Sequence, residues 1–151
     1  MRVALVLALL AGPALATSIV PLSPEGLAAA ADVVVEGTVA HAEARFVGQR
    51  IITFVTVVSG EAPALSTTLV AVPGGVVGDL AQVVPGAPVL HVGARYRLFL
   101  GAPTGPRAHD GGPRSRGVIG FFRGAFLLQD GPHGIVAVPL TERGEPAVMV
   151  H

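Results

Sequence analysis

The chain has 151 residues, with ten basic and ten acidic side chains, five histidines and no cysteine. Balanced charge and 5% aromatic content provide neither the positive field nor the stacking faces that nucleic acid requires, and no grip on an anionic membrane. Without disulfides or thiol chemistry, a fold must rest on its apolar core, for which 51% hydrophobic residues are ample material.

Residues 1–16 have the three parts of a secretory signal: Arg2, an apolar run from Val3 to Ala11, and the small-residue site Ala14-Leu15-Ala16. The run is about half the roughly 20 residues of a membrane-spanning helix, and no cysteine follows it for lipid attachment. We therefore expect a cleaved signal peptide and no stable membrane anchor. The protein is expected to be secreted, to the extracellular space or the periplasm, with a mature chain opening Thr17-Ser18-Ile19-Val20-Pro21. One β-barrel domain over 17–140 and a C-terminal tail over 141–151 complete the expected organisation.

Ser23 is a good helix N-cap, Pro24 suits the first helical position and Glu25 complements the dipole, so a helix of about two turns runs to near Asp32. The period then changes to two, with Val33, Val35 and Val39 on one face of a strand and Val34, Glu36 and Thr38 on the other. Gly37 predicts a bulge or bend in it. Residues 41–50 read as a connection turning near Gly48. Ile51–Ser59 is dense in β-branched residues and reads as a second strand, and Thr67–Val72 as a third, closed by Pro73-Gly74-Gly75. The Gly- and Pro-rich stretch 76–89 predicts a long ordered loop. In Arg95–Leu100, Tyr96, Leu98 and Leu100 share one face of a strand. Residues 101–116 predict the most mobile loop. Two last strands are expected at about 117–128, broken at Gly124, and at 134–140.

Twenty glycines and thirteen prolines divide the chain into short segments, as in an all-β domain with one short helix. The long, glycine-interrupted first strand favours a small β-barrel, since a strand serving both sides of a barrel must bend sharply.

The histidines, His41, His91, His109, His133 and His151, lack the close spacing of a metal site. Acidic residues are equally dispersed, and no serine sits in a nucleophile elbow. Residues 72–78 are glycine-rich but lack the Gly-Lys-Ser/Thr ending of a phosphate loop. These patterns name no catalytic residue, cofactor or metal of the chain's own, and a non-enzymatic protein is expected.

The opening Thr17-Ser18-Ile19-Val20-Pro21, the helix start Ser23-Pro24-Glu25, the strand Asp32-Val33-Val34-Val35 and the later Gly93-Ala94-Arg95-Tyr96-Arg97-Leu98 form one pattern. It resembles the tissue inhibitors of metalloproteinases and the wider netrin-like modules, whose mature chains open Cys-Thr-Cys-Val-Pro. The chain also resembles secreted proteins of GC-rich bacteria that share the Pro-Gly-Gly turn and a strand like Gly124-Ala125-Phe126-Leu127-Leu128. The resemblance implies a netrin-like, OB-fold-like barrel that binds a protein partner through its mature N-terminus. In the inhibitors the first α-amine and carbonyl chelate the partner's catalytic zinc and the second side chain enters the adjacent pocket; here those roles fall to Thr17 and Ser18, backed by Ile19, Val20 and Pro21. Both opening cysteines are replaced, by Thr17 and Ile19, so the disulfides that hold that edge are missing. A neutral amine and a carbonyl still suffice to fill open positions on zinc.

The expected function is a secreted, non-enzymatic protein-interaction module, in its narrower form a regulator or inhibitor of a co-secreted zinc metalloprotease. The alternative is a structural or cell-envelope-associated protein that associates through an apolar face and has no enzyme target. A barrel holding a small apolar ligand is a third reading, and it requires a cavity.

Overall fold

The structure, a computed structural model, describes residues 23–147. Helix α1 (Pro24–Ala30) starts as its residues dictate: Ser23 Oγ accepts the Gly26 N–H at 3.1 Å, and Pro24 and Glu25 fill the first turn. Leu27 is its buried residue. Beyond the helix, the Asp32 N–H donates to the Leu100 carbonyl at 2.8 Å, which ties the helix exit to the sheet.

The strands are β1 (Val33–Val47), β2 (Arg50–Ser59), β3 (Ser66–Pro73), β4 (Gly75–Val77), β5 (Leu80–Gln82), β6 (Arg95–Leu100), β7 (Ala125–Gly131) and β8 (Gly134–Pro139). Six of them form one antiparallel sheet in the order β3-β2-β1-β6-β7-β8, while β4 and β5 pair as a separate hairpin. The chain is thus mostly β with one short α-helix, as its punctuation predicts.

Strand β1 changes neighbour half-way. Val33–Thr38 pairs with β6, and Thr38–Val47 pairs with β2. At the crossover a Cβ on Gly37 would lie 2.5 Å from the Val58 carbonyl oxygen and 2.8 Å from Val57 Cγ1. Its missing side chain is what allows β2 to cross so closely. The bulge expected at Gly37 is displaced: Gly37 pairs in register with Tyr96, and the shift falls between Val39 and His41.

Three other expectations are corrected. Residues 41–47 continue β1, because Ala42 and Ala44 keep the half-buried positions while His41, Glu43 and Arg45 face out; the turn itself sits at Gly48 as expected. Residues 76–89 contain most of the β4–β5 hairpin, held across the end of β2 by Gly74 N–H to Ile51 O at 2.8 Å and Ile51 N–H to Gln82 Oε1 at 2.7 Å. The strand expected from residue 117 begins only at Ala125. Gly120 and Phe121, at φ 68° and 56°, turn the chain into a short 3-10 segment, Phe121–Gly124, before it.

The segment between β6 and that turn touches two distant strands. Arg116 bridges Val70 of β3 in parallel, with Ala71 N–H to Arg116 O and Arg116 N–H to Leu69 O both at 2.9 Å. Val118 bridges Leu100 of β6 antiparallel, with Ile119 N–H to Phe99 O at 2.8 Å and Gly101 N–H to Gly117 O at 3.0 Å. A short stretch therefore connects β3 to β6 across the open side.

Inside lie Val39, Val55, Val57, Val70, Tyr96, Leu98 and Leu100, all within the buried core cluster. Tyr96 is fully buried, and its hydroxyl accepts the His91 N–H at 3.0 Å. Burial pushes its phenol above the ordinary range, with the His91 hydrogen bond acting against the shift.

Gly37→Ala is expected to cost about 2 kcal/mol or more, because backbone and a core valine would have to yield. The check is a lower urea midpoint at unchanged m value. Tyr96→Phe is expected to cost about 1 kcal/mol at neutral pH through the lost acceptor. With its folded pKa raised, Tyr96 stabilises the fold below about pH 10 and loses that contribution as pH rises further. The chain contains no lysine or cysteine and no second tyrosine, so this alkaline loss should disappear in Tyr96→Phe when unfolding is compared at neutral and high pH.

Candidate functional site

Because successive residues of a strand point to opposite faces, β2 and β3 build an inner wall from Val55, Val57, Val70 and Val72 and an outer one from Phe54, Thr56 and Leu69. On the outer face His41 of β1 pairs with Thr56 and Glu43 with Phe54, and the row runs on from Thr56 to Leu69 of β3. The segment from Ala108 to Arg116 lies over this face and encloses with it a cleft of about 520 Å³. Phe54 at its floor is 3% exposed although it faces away from the core cluster.

Residues 101–116, expected as the most mobile loop, are tied at several points. Arg45 Nη1 donates to Ala108 O at 2.9 Å, and Ser115, fully buried, donates from Oγ to Pro106 O at 2.6 Å. The Gly105 N–H meets Ser115 O at 2.9 Å, and the Arg107 guanidinium donates to Gly112 O. Arg116 donates from Nη1 to Asp32 Oδ2 at 2.5 Å and to Gly101 O at 2.9 Å, joining the loop's base to the end of α1. Glycine and proline density gave the loop its irregular path; its own Arg107, Ser115 and Arg116 brace it from within, and Arg45 of β1 holds it from a strand remote in sequence.

The cleft's charges are Arg45, Arg114 and Arg116 against Glu43, with His41 and His109 on its walls. Arg45 donates to Glu43 Oε2 at 2.8 Å. That hydrogen bond, above all, holds the Glu43 carboxyl below the usual carboxylate range, with the charges of Arg45 and His41 adding to it. The same bond raises Arg45. Arg114 makes only a 3.4 Å bond to Gly105 O and has no carboxylate partner among the described residues. Its guanidinium is therefore available to an incoming acceptor.

Among the described residues no group of three or more His, Asp or Glu is placed to hold a metal ion. His41 and His109 share the cleft, and His91 instead meets Glu145 at 3.2 Å on another part of the surface. The predicted target-binding residues Thr17, Ser18, Ile19, Val20 and Pro21 lie outside the described residues. No described helix is long and apolar enough to cross a membrane. The cleft residues that sequence reading did not bring together are Arg114 and, on β1, His41, Glu43 and Arg45. The signal for the three on β1 was the strict alternation with Ala42 and Ala44.

No family model matches the chain, and neither a curated protein nor a solved structure matches it.

Arg45→Ala is expected to speed amide exchange across residues 105–115 while leaving β1–β2 protection unchanged, as read by exchange mass spectrometry. In the wild type, Glu43 contributes to this tie above the carboxylate range and loses its contribution as pH falls through its lowered value. Acidification should then reproduce the loop phenotype, and Glu43→Gln should abolish most of that pH dependence.

Proposed function

We propose that this chain is an exported, non-enzymatic protein-interaction module, built as an OB-type barrel of netrin-like character, whose partner presents an acidic segment to the cleft beside Arg114. The observation that carries the reading is the loop of residues 101–116 strapped over the outer face of β1–β3, which leaves a concave, cationic surface on a rigid sheet. The order β1-β2-β3, the 115–119 stretch, β6 and back to β1, with one parallel junction at Val70 and Arg116, supports closure of an OB type. In that architecture ligands meet the second and third strands and the neighbouring loops.

The narrower form of the reading gives the partner a catalytic zinc that the Thr17 amine and carbonyl would reach. Support comes from α1, which is capped at Ser23 and buries Leu27, so the chain from Ser23 onward is anchored and fewer residues would have to be ordered with the mature N-terminus. The cell-envelope alternative draws on Phe46, Val76, Leu80 and Val83, which are exposed on the β1–β2 and β4–β5 hairpins and the residue after them.

Three forms of the mature protein separate these readings: wild type, Arg114→Glu and wild type acetylated at Thr17. Charge reversal at this exposed site is expected to weaken retention of a co-exported partner about tenfold or more, as loss of a charged contact does. Acetylation is expected to abolish inhibition of a secreted zinc metalloprotease. Equal retention by Arg114→Glu would reject the cleft, and undiminished inhibition after acetylation would reject zinc chelation by that amine. Concentration-dependent self-association indifferent to both changes would favour the structural role.

A further inference from the structure

We propose a second, separate binding site at the open end of the inner face, taking a medium-chain fatty acid with its tail among the core valines and its carboxylate at Arg143. The alternation that puts Phe54 and Thr56 in the cleft turns Thr53 and Val55 inward, and with Val72 of β3 they line a cavity of about 240 Å³ on the opposite side of the same two strands. Val55 and Leu90, 1% and 8% exposed, belong to the core cluster, so the cavity opens directly onto the apolar interior. Its far wall is the segment after β5, from Val83 to Leu90.

Two oxygens on this lining are already engaged. Thr53 Oγ1 donates to Gly74 O at 2.7 Å, and Gln82 Oε1 accepts the Ile51 N–H at 2.7 Å. Most of what remains for a ligand is hydrocarbon surface, from Val55, Val72, Val84, Ala87 and Leu90, with the Gln82 amide beside it. Arg143 is the one charged residue on the lining, and it has no hydrogen-bonding side-chain or ion-pair partner among the described residues. Glu145, its near neighbour in sequence, is engaged by His91 at 3.2 Å. Val83 is held at 89% exposure beside this opening, an apolar side chain on the way in.

A half-open apolar pocket edged by a cation that is unpaired among the described residues is complementary to an amphiphile with an anionic head. Size narrows the class. Dry apolar cavities of about 150 Å³ accept benzene, and at about 30 Å³ for each water-sized group this one admits roughly eight. That is the tail of a medium-chain acid, with the head left at the rim, and not a long-chain lipid.

The test is a methyl-detected NMR titration of the full chain with sodium decanoate, in parallel with 1-decanol, repeated on Arg143→Gln. Decanoate is expected to saturate with shifts at the methyls of Val55, Val72 and Leu90 and none at Leu69 in the outer cleft. Decanol and the variant are each expected to bind about tenfold more weakly, the effect of one charge-assisted contact. No saturable shift at the inner methyls would overturn the site. Equal binding of decanoate and decanol to the wild type would overturn the role of Arg143 and the anionic class, whatever the behaviour of the variant. Neither result depends on Arg114 or on Thr17, so failure here leaves the protein-interaction reading standing, and the reverse.

Discussion

A single constraint organises the molecule: β1 must hydrogen-bond to β6 along its first half and to β2 along its second. Fifteen residues of strand are long enough to do both, and Gly37 removes the one Cβ that would collide with β2 where the neighbours change. Once the partners are exchanged in this way, the sheet curls, and the stretch around Arg116 and Val118 meets β3 on one side and β6 on the other. The core of valines, leucines and Tyr96 is buried without any disulfide. Hydrophobic burial is the dominant stabilising term available to such a chain.

Both candidate sites follow from the same curl. Strands β2 and β3 serve the outer cleft with one set of alternate residues and the inner cavity with the other. Loop 101–116 is strapped to the outside by Arg45 and Arg116, while the β4–β5 hairpin and residues 83–90 cover the inside. The two surfaces differ in chemistry because their coverings differ. The outer covering brings arginines and His109; the inner one brings valines, alanine and proline, with Arg143 at its edge.

Much of the fold was legible. Ser23, Pro24 and Glu25 announced α1, β-branched density announced β2, and Tyr96, Leu98 and Leu100 announced the buried face of β6, because each signal is local. The extension of β1 was hidden by its composition: alanines replace valines on the inward side after residue 41, so the period persists while its hydrophobic amplitude falls. The β4–β5 hairpin was obscured because its contacts are to the distant Ile51. The cleft was the least legible part. It depends on Ala108 and Arg114 meeting strands of the first half of the chain, a long-range pairing that no spacing reveals. Thr17–Pro21 was singled out by resemblance and lies outside the described residues.

Native-state hydrogen exchange at four amides tests the enclosure most directly. Ala71, Gly101, Arg116 and Ile119 donate the bonds that join the 115–119 stretch to β3 and β6. If that stretch completes a cooperative barrel, all four exchange with the same opening free energy as the β1–β2 amides. If they exchange at loop rates while β1–β2 stays protected, the sheet is open on that side and the enclosure is wrong.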